Sequence, residues 1–540
     1  MASSSFVRIT VLIWADILTA YALFVMMQYL TNVWKLNFTH AAAIVNVFSG
    51  VATIMPVGMA FLVDAFMGDY WMLLLSSLAY SFGLSFLAMS TPHVLPDAAR
   101  NCDAQKPDCI GDAQKVLFYT ALVLIAIGIS GHITSLESFL EQQKENQTSA
   151  QENFEKPKLM PHQVAGSLFV VLLAIVGCIA LPYIKPWSVR FGIPAICTVV
   201  ATFLFTTGSC SYKPSGPRPE GSPLTTVCRV FVASASKTFC HLPPNDIQEP
   251  YTRSLRCLDK AAIEVQTQNQ EQIEQSRWKL CTREDVEDTK MVIRMIPMWM
   301  TFIMCGVVIS IGNTYFLDQA NDMNRKLGKL MVPLPIFKFF YDLVKEKFHK
   351  QYVKVTEKLM IQGRYVPPIG IFVAMLFSIL CCITAASVET RRLDMIRRYL
   401  LLHKPNDSNE KIKIPMSMFW LLPQFLLLGA VEGMSTFSID QFFTNQAPAL
   451  MRRYLKLFRH GVIGVGTVGS VLSVYVVGKF SERGGRTNWF QDTLNKSRLD
   501  NYYWTLTVLS SINLFLYILV ALQYTYRDPP DEDADLNIKE

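Results

Sequence analysis

Long apolar segments recur along the whole chain, separated by polar loops. A helix that spans a bilayer needs about 20 mostly apolar residues, and the chain has twelve runs that approach or exceed this length. The runs lie at about 8–31, 41–64, 70–91, 114–135, 162–183, 191–210, 291–317, 331–345, 366–388, 415–437, 456–479 and 502–525. The eighth run is short and ends in a charged stretch. The pattern predicts an all-α, polytopic membrane protein with twelve transmembrane helices.

The longest polar segment, 211–290, follows the sixth run. It divides the chain into an N-terminal six-helix half, 1–210, and a C-terminal six-helix half, 291–525, followed by an acidic tail at 526–540. Within the linker, the sequence RSLRCLDKAAIEV (253–265) has an apolar side. We interpret it as an amphipathic helix on the membrane surface or as a solvated linker helix.

Composition agrees with this class. Hydrophobic residues make up 51% of the chain and charged residues 17%, whereas soluble domains carry about 25% charged residues. The net charge of +7 lies in the loops, which indicates contact with anionic lipid rather than with nucleic acid. The sequence has no nucleophile elbow, phosphate loop or metal-ligand set. We therefore expect the lipid bilayer as a partner, and no cofactor, no metal and no enzymatic activity.

The distribution of basic residues bears on orientation, because loops rich in Lys and Arg tend to stay in the cytosol. Several basic residues follow the eighth run and predict a cytosolic loop there. They are Lys345, Lys347, Lys350, Lys354, Lys358 and Arg364. With twelve spans, both termini and the linker are then cytosolic. The loop at 390–414 is also basic, yet this count places it outside.

Most of the twelve cysteines indicate no special chemistry. Six lie inside apolar runs and act as small hydrophobic residues, and those of the linker fit no zinc pattern. Cys102 and Cys109 share one polar loop. They are candidates for a disulfide if that loop faces an oxidising compartment.

The stretch from Ala41 to Trp71 stands out because polar groups interrupt its apolar run. Asn46 lies inside the run, and Asp64 and Gly68 lie at its end, where the next apolar run begins almost at once. So short a polar turn predicts a tight helical hairpin. A carboxylate there can bind helix-end N–H groups or a neighbouring Arg. Asp64 and Gly68 are therefore gate candidates, the alternative being an ordinary polar turn.

This stretch resembles the second helix and following turn of the plant nitrate/peptide transporter family, within the proton-coupled oligopeptide transporters. The family pattern there is N-x-W-S-G, then T-P-L-x-G-A, then A-D-x-x-x-G-R-Y-W. Phe48 stands in place of the Trp, and Asp69 in place of the Arg. The matching residues are Asn46, Ser49, Gly50, Pro56, Gly58, Asp64, Gly68, Tyr70 and Trp71.

The resemblance continues, in the same order, over nearly the whole chain. The matching segments are FGIP (191–194), GSPLTTVCRVFVA (221–233), LDKAAI (258–263), IRMIPMW (293–299), MSMFWLLPQFLLLGAVE (416–432) and GGRTNWFQDTLNKSRLDNYYW (484–504). The resemblance implies a major-facilitator fold. It also implies two six-helix halves that expose a central solute site to each side in turn, with coupling to protons.

The chain departs from this family in its charged motifs. The family's first helix carries E-x-x-E-R, and the corresponding positions hold Leu12, Ala15 and Asp16. Both acids are absent, and an acid replaces the Arg. The family's fourth helix carries a Lys at the position of Ile133. With both acids lost as well, these four positions change from a net charge of zero in the family to −1, and the pocket is predicted to select anions less and to tolerate neutral or cationic solutes.

An ionisable side chain within a membrane helix costs about 2.5–3.5 kcal/mol and is a functional candidate by default. Glu432 in the tenth run keeps the family's acid, which implies a proton-binding role. Since the family's partner Lys is missing, Glu432 is protonated, solvated or paired elsewhere. Asp16 is either a cavity acid that holds a proton or cation, or an acid hydrogen-bonded to a neighbour.

Further polar groups complete the candidate set. Glu137 is a gate candidate, or simply part of a solvated helix end. The remaining candidates for solute or proton binding are Tyr29, His132, Asn46, Gln163 and Asn313.

The predicted function is secondary active transport of a small solute by alternating access, the solute being nitrate, a peptide or another small organic or ionic compound. Proton coupling follows from the resemblance, although the first-helix motif that serves it is absent. The alternatives are an uncoupled facilitator and a membrane receptor or scaffold that does not transport. The predicted location is the plasma membrane or an endomembrane such as the vacuolar membrane.

Overall fold

The computed structural model describes residues 2–91, 111–151, 172, 175–177, 179–212, 222–237, 255–262, 281–402, 415–448 and 451–526, without the side chains of 2–6, 144–151 and 452. The candidates Gln163, Cys102 and Cys109 lie outside the described residues.

Helices account for almost all of the described part of the N-terminal half. The first apolar run forms two helices, because Val25 leaves helical geometry (φ −91°, ψ 12°). A π-helical turn at Val63–Met67 follows the third helix and leads directly into the fourth. The helices are α1 (Ala2–Phe24), α2 (Met26–Asn32), α3 (Phe38–Leu62), α4 (Gly68–Met89), α5 (Asp112–Gln151) and α6 (Trp187–Thr207).

The linker contributes α7 (Pro223–Ser236) and a 3₁₀ helix at Arg256–Ala262. The C-terminal half then begins at a capping box, in which Thr282 and Asp285 bond each other's backbone N–H. Its helices are α8 (Arg283–Ile311), α9 (Leu317–Asp322), α10 (Ile336–Lys358), α11 (Val366–Leu402), α12 (Leu422–Gln446), α13 (Arg452–Ser481) and α14 (Leu499–Gln523). Between α9 and α10, strands β1 (Lys326–Leu327) and β2 (Leu330–Met331) pair antiparallel.

The described helices confirm the predicted fold class. Each predicted apolar run except the fifth coincides with a helix, and the fifth, 162–183, lies mostly outside the described residues, with helical pieces at 175–177 and 179–183. Nine helical stretches of the described chain are long and apolar enough to cross a membrane. Helices are favoured there because a bilayer offers backbone groups no water to bond.

The boundary predicted for the eighth run was wrong. The helix at this place is α10, Ile336–Lys358, so the basic residues from Lys345 to Lys358 belong to a helix and not to the following loop. Lys and Glu are good helix formers, and Phe337 and Tyr341 supply a buried apolar face. The basic-loop argument for a cytosolic position therefore retains Arg364 alone of its six residues.

The linker packs against protein along part of its length. The predicted helix at 253–265 is a 3₁₀ helix at Arg256–Ala262, and its Leu258 lies in a small buried cluster with residues of α7 and α8. The Lys290 side chain, fully buried on α8, forms an ion pair with Asp259. This contact gives the LDKAAI segment a structural purpose, since it anchors the linker to the C-terminal half.

The two halves approach each other most closely along α3 and α13. At this seam Gly50 faces Gly464, and a Cβ on Gly50 would lie 2.9 Å from the Gly464 carbonyl oxygen. Small residues permit this close backbone packing, as is common between membrane helices. Asn46 also lies on this seam and donates a hydrogen bond to Ser470 Oγ at 3.1 Å.

Candidate functional site

A polar contact joins α1, α4 and α5 inside the N-terminal half. The Asp16 carboxylate oxygens lie 2.9 and 3.0 Å from His132 Nδ1. The other ring nitrogen of His132, Nε2, lies 2.8 Å from Ser77 Oγ. His132 is buried, and the ring of Tyr80 packs edge-on against it. The structure therefore brings together two of the predicted candidates, Asp16 and His132, on different helices.

The positions of the missing first-helix acids are apolar core. Leu12 and Ala15 are buried and belong to a cluster that includes Leu73, Phe139 and Phe205. A carboxylate at either position would be desolvated without a partner, which is costly. Of the three motif positions, Asp16 alone carries a polar group, and its partner is His132.

Glu432 on α12 is paired, but not with the fourth-helix residue that the resemblance implies. Its carboxylate lies 2.7 Å from Nζ of Lys345 on α10. Gly433 allows this approach, because a Cβ there would lie 2.5 Å from the Lys345 carbonyl oxygen. Both side chains remain partly accessible, Glu432 at 26% and Lys345 at 38%. Of the three states that the sequence left open for Glu432, pairing elsewhere is the one observed.

The hairpin turn after α3 contacts the start of α13, which belongs to the other half. Asp64 accepts a hydrogen bond from the Tyr454 hydroxyl at 2.6 Å and lies 3.5 Å from an Arg453 guanidinium nitrogen. Asp69 accepts from Arg453 Nη2 at 2.7 Å. Gly68 connects the two acids with φ +72°, a conformation that favours glycine. We call this set of contacts, between Asp64 and Asp69 and the pair Arg453 and Tyr454, the linker-end gate.

Neighbouring elements support the linker-end gate. Ser138 and Gln142 of α5 donate hydrogen bonds to Asp69 at 3.1 and 2.9 Å. The Ser222 hydroxyl, just before α7, lies 2.7 Å from the Tyr454 hydroxyl. The gate thus connects both halves and the linker. Sequence reasoning proposed Asp64 and missed Arg453 and Tyr454, whose short-range pattern is that of an ordinary helix start.

Neutral hydrogen bonds join the halves at the opposite end of the molecule. Gln28 Nε2 donates to Asn321 Oδ1 at 3.2 Å. The Tyr183 hydroxyl donates to the Met331 carbonyl at 2.7 Å. The contacts named at this end are neutral, whereas those of the linker-end gate are charged. A further contact between the halves joins the Tyr21 hydroxyl to the Asp342 carboxylate at 3.4 Å.

A cavity of about 490 Å³ lies between α5, α12 and α13 and extends to the linker-end gate. Ile133, at the position of the family's Lys, is part of its wall, and Asp440 pairs there with Arg459 at 2.6 Å. The lining residues are Ile133, Thr134, Glu137, Ser138, Glu141, Asp440, Thr444, Arg453, Lys456, Leu457, Arg459 and His460.

The other candidates lie elsewhere. Tyr29 is fully buried and packs against the rings of Trp34, Phe118, Trp187 and Phe191, which favours a role in the core. Asn46 belongs to the seam between α3 and α13. Asn313 is exposed in a π-helical turn at Gly312–Phe316. Glu137 is the one further candidate that lines the cavity.

Known proteins resemble this chain over its whole length. The POT family profile matches residues 70–490. The chain is 42% identical to Protein NRT1/PTR FAMILY 5.5 of Arabidopsis thaliana over 97% of each chain. It is 30% identical to Protein NRT1/PTR FAMILY 5.7 of the same plant, over 92% of this chain and 84% of the relative.

Solved structures agree on the fold. A crystal structure of an auto-inhibited POT family peptide transporter matches with a TM-score of 0.67 at 14% identity, over 98% of each chain. The POT family transporter PepTSo matches with a TM-score of 0.61 at 17% identity, over 96% of this chain and 99% of the other. The paired halves, the polar groups within them and these matches lead to one conclusion: the chain belongs to the POT family and is a multi-pass membrane protein that acts as a secondary transporter of a small solute.

Proposed function

We propose that this protein is a proton-coupled transporter of small organic solutes that are neutral, zwitterionic or positively charged. The observation that carries the solute class is the charge of the 490 Å³ cavity. Glu137 and Glu141 are exposed on one face of α5, one helical turn apart, and line this cavity.

The cations of the cavity are mostly engaged. Arg459 pairs with Asp440, and Arg453 belongs to the linker-end gate. Among the described residues, neither Glu137 nor Glu141 has an ion-pair partner, and Lys456 is the only cation lining the cavity without one. Free acids therefore outnumber free cations, which favours an ammonium group over a small anion. This agrees with the weaker anion selectivity predicted from the loss of the family's Arg and Lys.

Asp16 and His132 are proposed as the proton site. With neutral His132, Nδ1–H donates to Asp16 and Nε2 accepts from the Ser77 hydroxyl. With protonated His132, both ring nitrogens donate, and the Ser77 hydroxyl rotates to accept. One geometry therefore accommodates both protonation states. Glu432 and Lys345 form a second charged pair close to the solute path.

Alternating access is proposed to occur by movement of the N-terminal half, 1–210, against the C-terminal half, 291–525. Opening toward the linker requires Arg453 to leave Asp64 and Asp69. Opening at the other end requires separation of Gln28 from Asn321. Asp64, Gly68 and Glu137 are thus assigned to the linker-end side, which we propose is cytosolic, in the plasma membrane or the vacuolar membrane.

The solute class is tested by uptake into proteoliposomes with an inward proton gradient. The panel contains radiolabelled nitrate, a neutral dipeptide and a small primary amine. We expect amine or dipeptide uptake to exceed nitrate uptake, and Glu137→Gln with Glu141→Gln to lower amine uptake by about tenfold, because two acids are neutralised. Glu346→Gln is the control, since Glu346 is exposed and pairs only with Lys350 on the same helix.

Nitrate uptake equal to that of the amine would contradict the solute class. Uptake that does not depend on the proton gradient would favour the uncoupled facilitator. A protein that reaches the membrane and moves none of the panel would favour a receptor or scaffold.

A further inference from the structure

A small pocket lies at the seam between the halves, at the end opposite the linker. Its volume is about 90 Å³. It is separate from the proposed solute cavity, with which it shares no lining residue. The N-terminal half contributes Gln28, Pro182, Tyr183 and Arg190, and the C-terminal half contributes Arg325 and the segment 331–335.

Arg190 is held rigidly in this pocket. It is only 8% exposed, its guanidinium stacks on the Trp187 ring at 4.1 Å, and Nη2 donates to the carbonyls of Pro182 and Ile184 at 2.8 Å each. Its Nε is buried and has no hydrogen-bond partner. A buried, unsatisfied donor on a cation is costly unless a ligand completes it.

Arg325 is the second cation in the pocket wall. In the part of the chain that the structure describes, neither Arg190 nor Arg325 pairs with a carboxylate, and none lines the pocket. Partial burial lowers the pKa of Arg325 from its usual value, with no acid acting in the opposite direction. Two Arg side chains thus border one pocket without a counter-charge.

The surrounding sequence strengthens the positive potential. The segments 179–207 and 323–341 contain no Asp or Glu. They contain six cations, of which Lys338 pairs with Asp342 just outside the second segment, and the other five are Lys185, Arg190, Arg325, Lys326 and Lys329. Clustered charge of one sign raises the local concentration of counter-ions.

We propose that Arg190 and Arg325 form a binding site for a small oxyanion at the seam between the two halves. The guanidinium group matches an oxyanion with paired N–H donors, and Gln28 adds an amide. About 90 Å³ holds a few water-sized groups, which fits an inorganic oxyanion and not a peptide.

A bound oxyanion would contact both halves at once. It therefore stabilises the arrangement in which they touch at this end, and it disfavours opening there. This anion is an effector and not the transported solute. Its binding does not depend on which solute the protein carries or on proton coupling.

The test uses the full-length protein in nanodiscs of neutral phosphatidylcholine. Thermal unfolding is followed while sodium sulfate replaces sodium gluconate at constant ionic strength. We expect a saturable rise in the unfolding temperature for the wild type. Arg325→Gln should weaken the apparent sulfate affinity by about tenfold or more, because a charged hydrogen-bond partner is lost.

Lys329→Gln is the matched control, since Lys329 is an exposed cation in the same hairpin and does not line the pocket. It should respond to sulfate as the wild type does. Arg325→Lys, which keeps the charge but not the fork of donors, should give an intermediate affinity. Equal responses of the wild type, Arg325→Gln and Lys329→Gln, or no response in any of them, would overturn the proposal.

A phospholipid headgroup presents the same oxyanion chemistry as free sulfate. The titration is therefore repeated in nanodiscs that contain phosphatidylglycerol. Loss of the sulfate response there, with retention in neutral lipid, supports the site and identifies the headgroup as its occupant. An unchanged response supports a free anion.

Discussion

Each half of this transporter contains a polar pair built around an acid that the sequence singled out, and the two pairs differ in surroundings. In the N-terminal half, Asp16 meets a buried His132 that is also bound by Ser77. In the C-terminal half, Glu432 meets Lys345, and both are partly accessible. The first pair joins an acid to an imidazole, whereas the second joins an acid to an ammonium group.

This difference shows how the chain pairs its membrane acids although the family's charged motifs are absent. Each half satisfies its own central acid, so separating the halves leaves neither acid unpaired. Among the described residues, the ion pairs that join the two halves lie at the linker-end gate, where Arg453 meets Asp64 and Asp69. Water can replace a lost partner more easily at an end of the molecule than at its centre.

The largest effect is expected from Arg453→Gln, which breaks the ion pairs of Arg453 with Asp64 and Asp69 at the linker-end gate. Asp64 is almost fully buried, so loss of its cation should destabilise the closed gate by about 3 kcal/mol. The measure is the labelling rate of Lys456→Cys by a maleimide, which should rise. Arg486→Gln, at an exposed loop, is the control. Unchanged labelling would argue against a gate at this contact.

Glu432→Gln is the next prediction, because it leaves Lys345 as an unpaired cation. Both side chains keep some accessible surface, so we expect a cost of about 2 kcal/mol, below that of a fully buried pair. Solute uptake should fall by more than tenfold, and a second change, Lys345→Gln, should restore part of the unfolding temperature. If the double variant were no more stable than Glu432→Gln, the pair would not be a stabilising unit.

Asp16→Asn tests the proposed proton site. The amide keeps the size of the side chain but removes the carboxylate that lies 2.9 Å from His132 Nδ1. Uptake is measured at about pH 5.5 and at about pH 7.5. The ratio of the two rates should be about fivefold smaller in this variant than in the wild type. Asp112→Asn, on the exposed start of α5, should keep the wild-type profile. An identical profile for Asp16→Asn would move the proton site to Glu432.

Tyr454→Phe should have the smallest effect. It removes one hydrogen bond to Asp64 and one contact with Ser222, while Arg453 remains. The expected loss of stability is about 0.5–1.5 kcal/mol, seen as a small fall in the unfolding temperature. A loss as large as that of Arg453→Gln would mean that the hydroxyl, and not the guanidinium, holds the gate.

Several candidate site residues could be named from the sequence because membrane helices contain few ionisable groups. Asp16, His132 and Glu432 were identified on this basis, as was Asp64 beside its short turn. Lys345 could not be named as a partner, because a cation at the end of a short apolar run is typical of a loop. Tyr29 was a candidate for solute or proton binding because of its hydroxyl, yet the structure buries it among aromatic side chains.

The sequence by itself determined the helices and the fold class. A membrane helix bonds its own backbone, so its existence depends on about 20 neighbouring residues, all of which can be read in order. The tertiary structure alone decided which charges meet. Glu432 lies 87 residues from Lys345, His132 lies 116 from Asp16, and Arg453 lies 384 from Asp69. Such contacts depend on how helices pack side by side, and no local pattern of hydrophobic and polar residues encodes that arrangement.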